Sequence, residues 1–197
     1  MELISLSTID LYHGTIDCPQ GFEIDRKIIK NSIIQNYVSH QTLNKNPLTN
    51  RDFKVDFSQP LQWLQDYMRD HFREKYGRTL VEKNKWGTVL EPNEQSYSRN
   101  TVDPVDLRHS PDYTFIYGVD VSEDSCQVVC RYNDNRRAGR TWHIPMKNNK
   151  FILFPSTQEY FITSNQSKKM NIFLIVTYEY VWNMTIGIGV NIFQQKI

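Results

Sequence analysis

His109 stands three residues ahead of Asp112, with Ser110 and Pro111 between them. An imidazole followed closely by a carboxylate is how many transition-metal sites begin, because both groups offer lone pairs near neutral pH. Pro111 lacks a backbone donor, so this pair belongs on a loop and not in an ordinary strand ladder. The remaining histidines, His13, His40, His71 and His143, are scattered, and none repeats a ligand spacing. Cys126 and Cys130 lie four apart in the strand-like run CQVVC, which puts both on one face without the turn that a metal knuckle needs. With Cys18 they read as reduced thiols, the buried pair serving as core.

Nucleophilic chemistry has less to work with. No G-x-S-x-G is present, and Cys18 with His13 is only a coincidence of one loop. Gly187-Ile188-Gly189 sits in an apolar alternating run without a following helix, so its glycines mark a bend or close packing, not a phosphate cradle. Glu123-Asp124 falls in a turn, and Arg136-Arg137 with Arg140 reads as a solvated basic loop. The aromatics are more informative: 13% of the chain, with 11 Tyr, 10 Phe and 4 Trp. Tyr178, Tyr180 and Trp182 alternate and share a face. Core packing is the plain reading, and a docking face formed with Ile186, Ile188 and Val190 is the sharper one.

Elements must exist to position these groups. The chain has 197 residues, 39% hydrophobic and 23% charged, with a net charge of +1. That describes a globular protein with a sizeable core, here expected to be one domain over 1–197. Near-neutral charge carries no nucleic-acid or membrane-surface signature. The greasy stretch 171–193 is interrupted by Glu179, Asn183 and Asn191, which argues against a membrane helix. A single alanine among many Asn, Ile, Lys and Tyr is the bias of an A/T-rich genome.

Two helices are expected. Asp25 is a suitable N-cap for one running to about Tyr37, with Ile28, Ile29, Ile33 and Tyr37 on one face. The second opens at Ser58-Gln59-Pro60, buries Leu61, Leu64, Met68, Phe72 and Tyr76, and stops at Gly77. Met1–Ser7 alternates like a first strand, and His13–Gly21 reads as loop. From there the period falls to two, giving strands Lys85–Leu90, Thr114–Val121, Cys126–Tyr132, Thr141–Ile144, Lys150–Phe154, Tyr160–Thr163, Met170–Tyr180 and Thr185–Phe193. Helical support over about 1–80 and a β core over about 81–197 imply a sandwich or barrel with helices on one sheet. Trp86, Phe115, Tyr117, Phe151, Leu153, Phe173 and Ile175 are expected to supply much of the barrel core, with Leu61, Leu64, Met68 and Phe72 packed on its outside.

Four pieces resemble the double-stranded β-helix, or jelly roll, of the iron- and 2-oxoglutarate-dependent oxygenases, and most of all a phage-encoded group within that family. They are Lys85-Trp86-Gly87, the segment containing His109, the strand Thr114–Val119, and the run Phe151–Ser156 followed by Asn171–Ile175. The resemblance covers roughly 60–180. It implies a histidine and a carboxylate early in the core, a distal histidine just after the Phe154-Pro155 corner, and a cation about ten residues on for the co-substrate's acid group. Here Tyr160 takes the distal position, His109 is one residue too far from its carboxylate, and only Lys168 or Lys169 offers the cation. His109, Tyr160 and Lys169 are therefore expected to line a vestigial pocket, with no metal, no cofactor and no catalytic residue.

The functional expectation is a non-catalytic jelly roll acting in assembly, as a neck, tail or capsid-associated component of a phage virion. Its partners would be other virion proteins or copies of itself, met in the host cytoplasm during assembly and kept in the virion. The alternatives are an oxygenase with an altered metal set and a carbohydrate-binding jelly roll. The run Tyr178–Ile197 is expected to contact another subunit or a different protein, and its leftover part Val181–Ile197 to pair with a sheet edge, at home or in another chain.

Overall fold

The computed structural model describes residues 9–18, 23–43, 52–135 and 138–182. The expected strands Met1–Ser7 and Thr185–Phe193, and with them Ile186, Ile188 and Val190, lie outside the described residues. In chain order the elements are β1 (Tyr12–Thr15), α1 (Arg26–Leu43), β2 (Asp52–Phe53), α2 (Gln59–Tyr76), β3 (Arg78–Leu90), a 3-10 turn (Leu107–His109), β4 (Tyr113–Asp120), β5 (Gln127–Asn135), β6 (Ala138–Pro145), β7 (Lys150–Pro155), β8 (Glu159–Ile162) and β9 (Asn171–Trp182). Neither helix is long and apolar enough to cross a membrane.

The strands form two antiparallel sheets. The large one has the order β1-β7-β4-β9-β3-β2, and the small one β6-β5-β8. Between β3 and β4 the chain runs beside β8 without forming a regular strand. Ser96 N–H donates to Ile162 O, and Arg99 and Tyr160 exchange both backbone bonds at 2.9 and 2.8 Å. The Phe154-Pro155-Ser156 corner carries the chain from the large sheet into the small one, and Ser156 is buried there against Thr114. This is the expected jelly roll, with the helices on one sheet.

Local signals explain most of the elements. The Asp25 carboxylate accepts from Lys27 N–H, capping α1. Pro60 lies in the first turn of α2, and Gly77 ends it at φ 66°. The turns after β4 and before β7 place Asp124 and Asn149 in the left-handed region, which short polar side chains tolerate best. Other boundaries moved. α1 extends to Leu43, well past Tyr37. Tyr12–Thr15, expected in part as loop, pairs with β7 as an edge strand. β3 begins at Arg78, seven positions before the expected Lys85, and runs along β9 past a bulge at Lys83.

The core has two layers. One lies between the helices and the large sheet and includes Ile29, Ile33, Leu61, Leu64, Phe72, Phe115, Tyr117, Leu153 and Leu174. The other lies between the sheets and includes Leu90, Ile116, Val128, Cys130, Ile152, Phe154, Tyr160, Phe173 and Ile175. Phe115, Tyr117, Phe151 and Leu153, expected inside the barrel with Phe173 and Ile175, face the helices instead. The reason is that β4, β7 and β9 are buried on both faces, so their apolar runs do not reveal which side is which. Cys126 and Cys130 are buried free thiols, as expected.

Two glycines are placed by close approach. A Cβ on Gly87 would stand 2.5–2.9 Å from Ile33 side-chain atoms, and one on Gly118 would stand 2.2 Å from the Lys147 carbonyl oxygen. Gly87→Ala should therefore destabilise by about 1–3 kcal/mol as Ile33 is displaced. Gly118→Ala should cost more, because a backbone carbonyl yields less readily than a side chain. Urea denaturation of both variants checks the order, and a neutral Gly118→Ala would contradict the packing described here.

Candidate functional site

Where the small sheet is completed by the stretch around Arg99, four side chains from distant parts of the chain converge. Arg99 and Tyr160 are cross-strand partners, so their side chains leave the small sheet on the same face. Arg99 Nε donates to Tyr160 Oη at 3.2 Å. Its two terminal nitrogens donate to the two carboxylate oxygens of Asp52 at 2.7 and 2.8 Å, a bidentate fork. The guanidinium also lies over the Trp86 ring, 5.1 Å from its centroid. β2 exists to bring Asp52 here: its two residues pair with Gly87 and Thr88 on β3.

The electrostatics follow from that geometry. Burial alone would lower the Arg99 pKa, but the Asp52 bonds and the neighbouring phenol more than reverse this, holding the guanidinium charged. Burial pushes the Tyr160 phenol upward, opposed by Arg99, and Tyr160 is 1% exposed. It stays a neutral phenol. Beside this group the Trp86 Nε1 and Thr88 Oγ1 atoms are buried without a hydrogen-bond partner among the described residues.

The residues expected to share a pocket are not brought together. Tyr160 is inside the barrel, as placed above. His109 sits on the exposed 3-10 turn, with its Nδ1 2.8 Å from the Asp106 carboxylate. That bond holds the Asp106 carboxyl below the usual carboxylate range. Asp112, the expected partner of His109, instead accepts from Tyr180 N–H through its carboxylate. Lys168 and Lys169 are exposed in the turn before β9. The interior position at the start of β9 belongs to Asn171. Its amide nitrogen donates to Ser125 Oγ at 2.8 Å and Asn165 Oδ1 at 3.0 Å, and its oxygen accepts from Ser122 N–H. A neutral, satisfied amide takes that interior position, and neither of the lysines expected as the cation does.

The aromatic row on β9 is also corrected as an interface. Tyr178 is 2% exposed and belongs to the layer under the helices, and Tyr180 packs on the same layer, stacked beneath Arg78. Alternation placed them on one face correctly, but that face is covered by α2. This removes Tyr178 as a docking residue, while the Trp182 side chain lies outside the described residues. Arg99 and Asp52 were not singled out from sequence. No local pattern links residues this far apart, since only the folded β2–β3 and small-sheet pairings make them neighbours.

No family model matches the chain, and no curated protein matches it in sequence. Solved structures match its fold. AviO1 from Streptomyces viridochromogenes Tue57 superposes with a TM-score of 0.58 at 9% identity, over 86% of this chain and 89% of that one. A Pseudomonas putida prolyl-4-hydroxylase gives 0.56 at 9% identity, over 87% and 93%. SnoK, a non-heme alpha ketoglutarate dependent carbocyclase from nogalamycin biosynthesis, gives 0.54 at 10% identity, over 85% and 78%. The chain thus has the double-stranded β-helix fold of such oxygenases.

Among the described residues, no two-histidine, one-carboxylate iron set is assembled. All five histidines and all three cysteines fall among the described residues. Among the described residues, no three His, Cys, Asp or Glu side chains gather as a metal would require. After the Phe-Pro corner stands a neutral phenol, and across from it a guanidinium that cannot give up its proton to become a ligand.

The Arg99–Asp52 pair is partly screened, with side chains 32% and 23% exposed. Asp52→Ala should therefore cost about 2 kcal/mol, below the range for a fully buried pair, by leaving the guanidinium uncompensated. Adding Arg99→Gln should recover part of that loss. A double-mutant cycle in urea checks the coupling, and additive losses would mean the fork contributes nothing.

Proposed function

We propose that this chain is a non-catalytic jelly roll, an oxygenase-like barrel whose interior is closed by an ion pair and which serves as a binding and assembly module. The observation that carries the reading is the Arg99–Asp52 fork bonded to Tyr160. It puts a fixed positive charge beside the position expected for the distal metal ligand. A divalent cation next to it would meet direct repulsion at low dielectric. The only carboxylate in the fork already accepts two charge-assisted bonds from the guanidinium.

One observation favours a second reading, an oxygenase with an altered metal set: the shared fold with 2-oxoglutarate-dependent enzymes. The two readings separate in one experiment. Protein loaded anaerobically with Fe(II) and titrated with 2-oxoglutarate should hold neither stoichiometric iron nor tight co-substrate. Stoichiometric iron that is abolished by His109→Ala would overturn the non-catalytic reading and restore the enzyme.

As an assembly protein it would dock on copies of itself or on other virion components, the setting proposed from its A/T-biased composition and its phage-like resemblance. The run Thr185–Ile197 is the proposed docking strand. Deleting it should leave a folded monomer that no longer assembles, read by circular dichroism and sedimentation velocity. Unfolding of the truncated monomer would assign that run to its own barrel and defeat the docking idea.

A further inference from the structure

At one end the large sheet outruns the small one. Along β9, Phe173 and Ile175 belong to the layer between the sheets, and Thr177 on the same face is still buried. Four residues on, Val181 shares that face and is 53% exposed. On β3, Thr79 pairs with Val181 and Val81 with Glu179, and Val81 is 46% exposed. Leu80 and Tyr180, the pair between them, go to the helix layer. Val81 and Val181 therefore lie on the inner face of the sheet, at a place that the small sheet does not reach.

The other edge of β9 is bordered here by the stretch before β4. Asp112 N–H donates to Tyr178 O at 2.8 Å, and the Asp112 carboxylate accepts from Tyr180 N–H. The loop ahead of it is tied to itself. Ser110 Oγ donates to Asp106 O at 2.9 Å, and Asp103 Oδ1 accepts from Val105 N–H at 2.9 Å. This fixed loop presents Leu107 and Val105 to solvent, 68% and 93% exposed. The Asp106 carboxylate, held low chiefly by His109, also feels Lys83, which puts the loop beside the uncovered face. Lys83 in turn binds Glu179 at 2.6 Å. The surface is thus aliphatic with charges of both signs, and a second copy of it meets no single-sign repulsion.

The run that follows β9 starts at this surface, one residue beyond Val181. Its sequence carries Met184, Ile186, Ile188, Val190 and Ile192 at every second position, in the phase of Tyr178 and Tyr180. Asn183-Met184-Thr185 holds neither Gly nor Pro to reverse the chain at once, so the run reads as leaving along β9, away from the face it starts beside. Two copies set with these faces together about a two-fold axis bring the start of each run next to the other's face. We propose that two copies of this chain exchange these runs, each seated on the uncovered inner face of the other beside Val81, Val181 and Leu107. The inference rests on the assembly reading above and supplies the surface that receives the run.

The test uses the full chain in sedimentation velocity, where the wild type should dimerise. A face variant, Val81→Lys with Leu107→Lys, should keep the wild-type melting temperature because both positions are exposed. It should weaken dimerisation roughly a hundredfold, about tenfold for each aliphatic side chain taken out of contact. A run variant, Ile186→Asp with Ile188→Asp, should weaken it as much. Mixed together, the two variants should form a one-to-one complex, since one keeps an intact run and the other an intact face. A monomeric wild type would overturn both the exchange and the assembly reading. Wild-type dimerisation by the face variant, with loss in the run variant, would overturn this face as acceptor and leave the assembly reading standing. No complex in the mixture would overturn the exchange, and so would unfolding of the run variant, which would assign the run to its own chain.

Discussion

The large sheet is covered on both sides, and the rest of the molecule is arranged to allow it. α1 and α2 lie on one face, and the small sheet lies on the other. Strands β4, β7 and β9 therefore have no solvent side along most of their length, and Tyr113–Val119, Phe151–Phe154 and Asn171–Tyr178 are buried. This demands close approach above and below. Gly87 lets Ile33 of α1 settle onto β3, and Gly118 lets the turn before β7 fold back across the end of β4. It also demands that every backbone group in these strands be paired within the sheet, since water reaches neither face. The long β3–β9 ladder meets that demand.

Three bonded sets of polar groups enter this interior, while Trp86 Nε1, Thr88 Oγ1 and Tyr178 Oη are buried without a partner among the described residues. Asn165 and Asn171 form one, tying the turn before β9 to Leu90 O and to Ser125. Thr114 and Ser156 form another at the Phe-Pro corner. Arg99, Asp52 and Tyr160 form the third, and it alone carries charge. A guanidinium suits that place because its fork satisfies a carboxylate in two bonds while its flat face rests on Trp86. The oxygenase-like barrel is thus filled at the position after the corner by a phenol and an ion pair bonded to one another.

Much of this was legible in the sequence, and the part that was not has a physical cause. α2 could be read closely because Pro60, the stripe Leu61-Leu64-Met68-Phe72 and Gly77 are local signals that agree. The corner at Pro155 and the Tyr160 position after it were legible for the same reason. The facing of β4 and β7 was not, because a strand buried on both sides has no polar phase to reveal its orientation. His109 looked like a metal ligand because it is a histidine close to a carboxylate. Its imidazole only holds the end of an exposed turn beside Asp106. Asp52 and Arg99 carry no local motif and are joined only through tertiary pairing.

The order of the large sheet has a consequence for how the chain is made. β9 lies between β4 and β3 at the centre of this sheet, yet among the described strands it is the last to leave the ribosome. Until Asn171 and its successors emerge, β3 and β4 have no common neighbour, and the nascent chain holds two unjoined halves with apolar faces. At roughly 5–20 residues per second, the interval between Leu90 and Asn171 lasts on the order of ten seconds. During translation the protein is therefore an open sheet waiting for its centre, a natural client for chaperones that shield strand edges.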